Sequence, residues 1–589
     1  MNFFKTFLAA FLALLVFSMV GFVFFLIVVI GGIGSLTEET KVAVSEKSVL
    51  HLKLDGPITE LQQENPLEGL PIPGGDERNV GLLQLKRAIA EAKGDPNIKG
   101  IYLDVSYIQA GFSTLEEIRG SLIDFRESGK WVVAYGEVMS EGAYYLATAA
   151  NDIFMNPEGE IEFNGLTLTV SFFKRLFDKL EIKPQVFRVG EFKSAVEPFL
   201  LEKMSAENET QLTSMANSIY DHVLGNIALA RQVPHEKLEE YSDKMMVRNA
   251  AIAKDLGLID DLFYEDVFLD TLRNRLSLEA DAKISFVTYN QYRKSYAELE
   301  SATHEVAVIV AEGTIMPGEG DQSNQVIGAQ TFIEELRKAV KSDKIKAIVV
   351  RINSPGGEFR ASDMMWREIQ VARKKKPVIA SMSDYAASGG YYMAMGCDTI
   401  VAQPNTITGS IGIFGMMFDM SDFLGNKIGI TFDEVRTGEF GDMYTVSRPL
   451  TEAERNYWQR NLEEHYETFT TKAAEGRNLP VDDILAVASG RVWTGSQGKE
   501  HKLVDVEGGF DDAVRIAAEA AGVRDDYRVR FYPEQKSFFE QWLSERGEAA
   551  AQAAIKAELG EYYGYYQQLQ QLKTYQGSQA RLPFRITLE

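Results

Sequence analysis

The sequence carries an internal duplication, in which motifs of the first half recur in the same order in the second half. Two of the matched pairs lie 247 residues apart, as Ile101 and Ile348 do, and a later pair lies 248 apart. This period far exceeds the roughly 20–50 residues of solenoid repeats, so the duplicated unit is a whole domain. The chain is therefore restricted to two copies of one architecture. The matched segments are 49–58 with 306–315, 97–104 with 344–351, 142–147 with 389–394, and 186–192 with 434–440.

The fold class follows from the pattern inside each half. Short apolar runs alternate with helical segments of about 10–20 residues, which is typical of α/β proteins with helices packed on a mostly parallel sheet. In the second half, three turns that contain glycine follow predicted strands, at 354–357, 388–390 and 408–412. Functional sites gather at strand ends in such sheets, so we expect the site at these turns.

Length and composition divide the chain into four parts. With 589 residues it exceeds a single ordinary core, so two or more domains are expected. A polar stretch at 295–304 separates the repeats, and a second boundary lies near Glu534. The predicted parts are a membrane anchor (1–36), a first repeat (37–300), a second repeat (301–535) and a tail (536–589) whose Ala, Glu, Gln and Tyr content predicts helix.

The stretch from Phe7 to Ile33 contains no charged residue. About 20 apolar residues suffice to cross a membrane, whereas the apolar core of a cleaved signal peptide has about 7–15. We therefore expect an uncleaved transmembrane helix, rather than a signal peptide or a buried helix of the soluble core. Lys5 before the stretch and the acidic pair 38–39 after it favour an internal N-terminus. In a Gram-negative cell the rest of the chain would then face the periplasm.

Composition argues against several function classes. A formal charge of −24, without a basic patch interleaved with aromatic residues, argues against a nucleic-acid partner. The six histidines are scattered and lack the paired spacing of metal ligands, so we expect no metal site. The single cysteine, Cys397, cannot form an intramolecular disulfide and lies in an apolar segment typical of core.

Ser388 lies at a predicted strand-to-helix corner. The apolar run 377–382 predicts a buried strand, and small residues end it before a segment of helical character. At such a corner the hydroxyl can stand clear of the sheet, and the N–H of Gly389 can face a developing oxyanion. Two interpretations of Ser388 stay open: it is the nucleophile of an enzyme, or it is a helix N-cap.

The two halves differ where chemistry is expected. At the repeat offset Ser388 corresponds to Glu141, so the first half lacks the serine, and Lys193 corresponds to Gly441, so the second half lacks the lysine. The glycines at 356–357, which can bring backbone N–H groups close to a substrate, correspond to residues other than glycine. Each copy need keep only the groups that it supplies. We therefore predict one site shared between the halves.

Lys193 is the candidate base for Ser388, because no histidine stands in a recognisable triad context. A lysine accepts a proton only when it is neutral, which requires burial in an apolar pocket. The nearby apolar residues are Phe192, Ala195, Val196 and Phe199. Two interpretations also stay open for Ser410: it orients the amine, or it satisfies backbone groups of its turn. Without the comparison of the two halves, Lys193 would be interpreted as an ordinary solvated lysine; the complementarity of the halves favours the base.

Three segments, 386–391, 408–412 and 188–199, resemble the motifs of the signal peptide peptidase A family, also called protease IV, which are peptidases of family S49. The similarity is to the long, duplicated bacterial form and extends from the anchor to about residue 530, without departure at the motif positions. It implies Ser388 as nucleophile and Lys193 as general base and acid, in two tandem domains of the crotonase and Clp-protease type.

The resemblance also implies partners and location. Members of this family are membrane-anchored serine endopeptidases that degrade cleaved signal peptides by cutting in their apolar cores. The implied assembly is a homotetrameric bowl, held at the inner membrane by the anchor and facing the periplasm.

The chemistry expected of these residues agrees with this function. Neutral Lys193 would take the proton of Ser388 as its oxygen attacks a peptide carbonyl, and the N–H of Gly389 with that of Gly356 or Gly357 would hold the oxyanion. No cofactor is required. The sequence leaves open whether the two side chains meet within one chain or between chains.

Two other functions remain to be weighed against a protease. Crotonase-like folds also bind acyl-CoA thioesters, although that chemistry needs neither a serine at the corner nor a distant lysine. A catalytically silent membrane scaffold would not need Ser388 at all. Labelling with a serine-reactive reagent, compared with Ser388→Ala, separates the scaffold from the protease.

Overall fold

This computed structural model describes residues 43–62, 80–296, 302–321, 325–524, 526–533 and 578–582, with short pieces at 17–19, 21, 555, 559–560, 563 and 566. The strands of the first half are β1 (Ser48–Lys53), β2 (Ile58–Thr59), β3 (Val80–Gly81), β4 (Ile98–Asp104), β5 (Trp131–Met139), β6 (Asp152–Ile161), β7 (Lys183–Val189), β8 (Asp261–Leu262) and β9 (Phe286–Thr288). Its helices are α1 (Leu82–Gly94), α2 (Phe112–Glu127), α3 (Glu141–Ala147), α4 (Lys174–Leu180), α5 (Glu197–Leu200), α6 (Ala206–Arg231), α7 (His235–Asp243), α8 (Ala250–Asp255), α9 (Glu265–Arg275) and α10 (Tyr289–Tyr292), with a 3₁₀ turn at Ser194–Val196.

The second half repeats this alternation. Its strands are β10 (His304–Glu312), β11 (Thr314–Met316), β12 (Val326–Gly328), β13 (Ile345–Ser354), β14 (Gly356–Glu358), β15 (Val378–Ala387), β16 (Thr399–Ala402), β17 (Ile407–Gly409), β18 (Ile413–Asp419), β19 (Val492–Thr494), β20 (Val506–Glu507), β21 (Tyr527–Tyr532) and β22 (Ser578–Arg581). Its helices are α11 (Ala329–Lys341), α12 (Phe359–Ala372), α13 (Gly389–Ala394), α14 (Glu452–Arg477), α15 (Val481–Val487), α16 (Gly495–Glu500) and α17 (Phe510–Ala520), with a π-helical segment at Phe423–Ile428.

The core of the first half lies on both faces of a parallel sheet with strand order β8-β6-β5-β4-β1-β9. Side chains alternate between the faces of a strand. Leu50 and Leu52 of β1 therefore join one apolar cluster with residues of α1, α2, α3 and α6, while Val49 joins a second cluster with α9. Burial on both faces explains the nearly continuous apolar runs of these strands.

The second half has the same register, which confirms the predicted duplication and the α/β class. Its sheet follows the order β19-β17-β15-β13-β10-β21, and β16 and β20 pair beside β15; only β19 is antiparallel to its neighbour. Leu50 of β1 pairs with Ile101, and at the matched positions Ala307 of β10 pairs with Ile348. The ladder irregularity before Val49 recurs at the matching position of the second half.

A third sheet joins the two halves. Its order is β12-β11-β14-β22-β18-β7, and β7 of the first half pairs antiparallel with β18 of the second half over seven residues. The halves are therefore two domains by sequence, but a strand of one completes a sheet of the other.

A buried ion cluster also crosses the boundary between the halves. The fully buried guanidinium of Arg351 binds the carboxylates of Glu60 and Glu117, each at 2.8 Å. The carboxylate of Asp384, on β15, accepts hydrogen bonds from the N–H and the hydroxyl of Thr114, at 2.9 and 2.7 Å. Burying such charges is costly unless each is paired, so these contacts hold the halves in one specific arrangement.

Two predicted parts of the chain, the anchor and the tail, lie mostly outside the described residues. The predicted anchor at 7–33 lies outside them, apart from 17–19 and residue 21. Within the part of the chain that is described, no helix combines the length and apolar character needed to span a bilayer. The predicted helical tail (536–589) is wrong at Ser578–Arg581, which form strand β22. Pairing with two neighbouring strands overrides the local preference there.

Candidate active site

The Ser388 corner has the geometry of an exposed nucleophile turn. Strand β15 ends at Ala387 and helix α13 begins at Gly389. Ser388 between them has φ 54° and ψ −111°, a conformation that is strained for a residue with a side chain and persists only where surrounding structure enforces it. Its N–H donates to the carbonyl of Gly409 at 2.8 Å. The hydroxyl makes no N-cap hydrogen bond to α13, so the capping interpretation is not what the structure shows.

Strand pairing brings Lys193 to this corner. Strand β17 pairs with β15 so that Gly409 lies beside Ala387, which places the next residues, Ser410 and Ser388, side by side. Strand β18 then begins at Ile413, and its first residue pairs with Val189, the last residue of β7. Because the pair is antiparallel, the chain leaving β7 toward Lys193 meets the chain entering β18. Three turns from both halves thus converge on one point.

The amine of Lys193 contacts two serines. Its Nζ lies 2.9 Å from the hydroxyl oxygen of Ser388, 3.0 Å from that of Ser410, and 3.1 Å from the carbonyl oxygen of Ser410. The Ser388 distance lies inside the expected range of about 2.6–3.2 Å, and the contact forms within one chain. All three residues are fully buried. Burial lowers the pKa of Lys193 well below its usual value, which favours the neutral amine.

A loop that sequence reasoning missed clamps these segments together. The loop consists of residues 488–491. Its Ser489 carbonyl accepts a hydrogen bond from the N–H of Phe192 at 3.0 Å, and its Arg491 carbonyl accepts one from the N–H of Ser410 at 2.7 Å. Gly490 has φ +80°, and a Cβ there would come within 2.6–2.7 Å of the backbone and Cβ of Lys193. The only signal for this loop in the sequence is its glycine.

The predicted apolar walls are found only in part. Ala195, Val196 and Phe199 are buried in a cluster with Phe414 and aromatic and Met residues of α4 and β18. Phe192 is only half-buried, and the guanidinium of Arg491 lies over its ring at 5.1 Å from the centroid. The aliphatic part of the Lys193 side chain also lies close to glycine, since a Cβ added to Gly412 would lie 3.2 Å from the Cδ atom of Lys193.

The two glycines of the first turn have different roles. Gly356 has φ +97°, and its N–H donates to the hydroxyl of Ser354 at 3.2 Å. Strand β14 pairs antiparallel with β22, and the N–H of Leu582 donates to the carbonyl of Pro355 at 2.7 Å. Bonded and non-bonded pairs alternate along such a ladder. The N–H of Gly357 therefore points toward β22, and that of Gly356 does not.

Strand β22 occupies the cleft beside Ser388. It pairs antiparallel with β14 on one side and with β18 on the other, and Gly357 pairs with Ala580. A Cβ added to Gly356 would collide with the carbonyl oxygen of Ala580, and one added to Gly389 would lie 3.0 Å from it. This oxygen thus lies between the glycines that were predicted to hold an oxyanion. The sequence predicted nothing of this contact.

Away from these turns, folding also brings a histidine next to two acidic residues. The imidazole of His235 on α7 lies 3.2 Å from Asp221 and 3.8 Å from Glu239. The two acidic residues are exposed, and all three groups are explained by ordinary surface ion pairing.

The comparisons with known proteins point to one family. The profile of Peptidase family S49 matches residues 124–279 and 370–524, one match in each half. The chain is 36% identical over 486 residues to the chloroplastic serine protease SPPA of Arabidopsis thaliana, covering 82% of this chain and 70% of that protein. It is 32% identical over 562 residues to Protease 4 of Haemophilus influenzae, covering 91% of this chain and 90% of that protein. Protease 4 of Salmonella typhi is 33% identical over 536 residues, covering 87% of this chain and 85% of that protein.

Proposed function

Because the chain belongs to peptidase family S49 and is a serine protease, we propose that it hydrolyses peptides through a dyad of Ser388 and Lys193. One observation carries this proposal: the lysine amine lies 2.9 Å from the serine oxygen, with both groups fully buried. The family assignment favours hydrolysis over acyl-CoA chemistry and over a silent scaffold.

The hydrogen-bond inventory of Lys193 supports its role as the base. A neutral amine has two hydrogens to donate and one lone pair to accept with. The carbonyl and the hydroxyl oxygen of Ser410 can take the two hydrogens. The lone pair then faces Ser388, whose hydroxyl hydrogen it can accept. Ser410 acts in this proposal as a positioning residue that orients the amine.

The oxyanion would be held by the N–H groups of Gly389 and Gly357. Gly389 is the first residue of α13, where backbone N–H groups have no partner inside the helix. Gly357 is preferred over Gly356, because the N–H of Gly356 is directed to Ser354. Each such donor is worth about 2.7–4 kcal/mol of barrier.

The reaction then proceeds by acyl transfer. Ser388 oxygen bonds to the substrate carbonyl carbon while Lys193 accepts the hydroxyl proton. The peptide C–N bond breaks, and Lys193 returns its proton to the leaving amine. Water, deprotonated by the same lysine, hydrolyses the ester and frees Ser388.

The slot between β14 and β18 is the proposed substrate site. One extended segment fits between these strands, as β22 shows, and such β-addition recognises the backbone more than the side chains. Ala580, at the nucleophile, is fully buried in the slot. We propose apolar peptides with small residues at the cleavage point as substrates, cleaved signal peptides among them. The motif resemblance supports that substrate class.

A serine-reactive fluorophosphonate tests the nucleophile directly. We expect labelling of the full chain at Ser388, and its loss in Ser388→Ala. The matched control is Ser128→Ala, since Ser128 caps the end of α2 away from these turns. Synthetic signal peptides, with and without two aspartates in the apolar core, test the substrate. Labelling that survives Ser388→Ala, or equal cleavage of both peptides, would contradict the respective part of the proposal.

The proposed location is the inner membrane, with the catalytic domains in the periplasm. The uncharged stretch from Phe7 to Ile33 supports an anchor of one span. The full chain should stay with membranes washed at high pH, and a variant that begins at residue 37 should not. Recovery of the full chain in the wash would refute the anchor.

A homotetramer is the proposed assembly. Segment 428–446 exposes large apolar side chains, among them Phe432 and the fully exposed Val435, as docking surfaces do. Its residues 434–440 match 186–192 of the first half. That matching stretch forms most of β7 and pairs with β18, whereas 434–440 are paired in no sheet. A second copy of the chain can supply the missing partner.

Light scattering after gel filtration tests this assembly. Val435→Asp should lower the mass below that of a tetramer, while Leu229→Asp, at an exposed apolar residue of α6, should not. Because the dyad forms within one chain, the smaller species should keep fluorophosphonate labelling. An unchanged mass for Val435→Asp would place the subunit contact elsewhere.

A further inference from the structure

Gln211 is a buried amide on α6 that contacts the segment carrying Lys193. Its Nε2 donates to the carbonyl of Phe192 at 3.1 Å and to the hydroxyl of Ser194 at 3.0 Å. These two residues flank Lys193 in the sequence. One side chain of α6 therefore holds the chain on both sides of the proposed base.

The other end of the same amide contacts the second half of the chain. Oε1 of Gln211 accepts a hydrogen bond from the N–H of Val492 at 3.2 Å. Val492 is the first residue of β19 and directly follows the loop at 488–491. It pairs with Gly409 of β17, the neighbour of Ser410. Gln211 thus joins the segment of the base to the strands that carry its serine partners.

These contacts require a side chain that donates at one atom and accepts at another, as an amide does. Nε2 of Gln211 also lies 3.0 Å from Oδ1 of Asn208, so its two hydrogens have three acceptors within reach. A carboxylate has no hydrogen to donate, and an apolar side chain can neither donate nor accept. An apolar replacement would therefore leave the buried N–H of Val492 without this acceptor.

The helix that carries Gln211 is itself fixed to the same segment. Glu197, four residues after Lys193, accepts a hydrogen bond from the hydroxyl of Ser205 at 2.6 Å and one from Nδ2 of Asn208 at 3.0 Å. Ser205 is the N-cap of α6. The start of α6 and the segment of the base are thus held together, which places Gln211 at a defined position between the two halves.

We propose that Gln211 is a positioning residue for the reaction, which holds Lys193 within reach of Ser388 by joining the two halves at this point. The inference rests on the proposed dyad. Lys193 belongs to the first half and Ser388 to the second half, so their distance depends on contacts between the halves. Gln211 makes such a contact directly at the residues next to the base.

Loss of this contact should change the titration of Lys193 as well as its position. Burial lowers the pKa of Lys193, so a looser segment that admits water should raise it. The charged side chains on the described segments around it, Arg188, Glu191, Glu197 and Arg491, stay the same in the variants. A rise of one pH unit in this pKa lowers kcat/KM about tenfold at pH values below both pKa values.

Gln211→Met tests the inference in the full chain, because it keeps the size of the side chain and removes both ends of the bridge. The matched control is Gln497→Met. Gln497 also joins α6 to β19, since its Nε2 donates to the hydroxyl of Ser214 at 3.1 Å and its Oε1 accepts from the N–H of Thr494 at 3.1 Å. None of its hydrogen bonds within the described part of the chain reaches the segment of Lys193.

We expect Gln211→Met to lose about tenfold or more in kcat at pH 7, with KM little changed, and its acid limb to lie at higher pH than that of wild type. Gln497→Met should keep the wild-type profile. The ratio of the rates at pH 7 and pH 10 comes from one sample, so it does not depend on the folded fraction. Gln211→Glu, which keeps the acceptor for Val492 and loses the donors, should shift the limb in the same direction and decides the question should Gln211→Met not fold.

The outcomes separate this inference from the proposed function. A wild-type kcat and profile in the Gln211 variants, or an equal shift in Gln497→Met, would overturn the positioning role and leave the dyad standing. A loss of kcat without a shift of the acid limb would assign Gln211 to the fold alone and overturn it as well. Hydrolysis at the wild-type rate by Lys193→Met would instead refute the proposed dyad.

Discussion

Replacing the buried amine of Lys193 by an apolar group should change the pH dependence of stability in a calculable way. Lys193→Met keeps a linear side chain of similar length in the same pocket and removes the charge. Wild type must keep a fully buried amine whose pKa is lowered well below its usual value by burial. In the unfolded chain the same amine has a pKa of about 10.4.

The sign follows from proton counting. Between the lowered pKa and about 10.4, the unfolded wild-type chain binds one proton more than the folded chain at this residue. The free energy of unfolding of wild type therefore rises with pH over this window, relative to the variant, by about 1.4 kcal/mol per pH unit. The loss of stability that wild type suffers from burying this amine, relative to the variant, has its full size below the folded pKa of Lys193 and vanishes above about pH 10.4. The hydrogen bonds lost to Ser388 and Ser410 add an offset that pH does not change.

Urea titrations of both proteins at pH values from 7 to 10 measure this difference. Other titrating groups cancel, because they are common to both chains. The matched control is Lys99→Met, which makes the same substitution at an exposed lysine. The same Lys193→Met sample should have lost about 10²- to 10⁴-fold in peptide hydrolysis, the contribution expected of a general base.

Parallel stability curves for wild type and Lys193→Met across this range would refute the reasoning. They would mean that the folded amine titrates like that of the unfolded chain and is therefore charged at neutral pH. Hydrolysis that persists above a tenth of wild type would independently exclude Lys193 as the base.

Four further predictions concern the site and its support. The kcat/KM of peptide hydrolysis should fall tenfold per pH unit below the lowered pKa of Lys193 and level off above it, and a flat profile from pH 6 to 10 would count against a neutral base. Ser410→Ala should reduce kcat, with little effect on KM, and Ser410→Thr should restore part of the loss; an unchanged kcat would assign Ser410 to its turn alone. Gly490→Ala should displace the lysine and impair peptide hydrolysis, whereas Gly120→Ala, with open space around it, should not; equal effects in an activity assay would rule out the clamp. Arg351→Met should destabilise the chain by about 3–5 kcal/mol, because it leaves the buried carboxylate of Glu60 without its cation and that of Glu117 with Lys86 alone, and an unchanged urea midpoint would show that the cluster does not hold the halves together.

The duplication and the division of labour between the halves could be predicted from the sequence. Apolar periodicity records which segments are strands, and the repeat offset pairs Ser388 with Glu141 and Lys193 with Gly441. The observed register, in which the strands of the two copies pair at matching residues, confirms the duplication. These features depend on a few neighbouring residues, which is why they are visible without a structure.

Other parts of the site have no local signal. The clamp at 488–491 depends on how closely one backbone passes another, which only the packed chain determines. The segment at 578–581 has a composition that predicts no strand, and its conformation comes from two partner strands more than 150 residues away in sequence. Sequence analysis therefore missed both.

The sequence by itself determined the fold class, the repeat and the residue types available for chemistry, because these follow from composition and short-range pattern. Only the tertiary structure decided that Lys193 and Ser388 meet within one chain, 195 residues apart, and that Gly357 rather than Gly356 points its N–H into the cleft. Both depend on the register between distant strands. Register is determined by the packing of whole sheets, and no single segment records it.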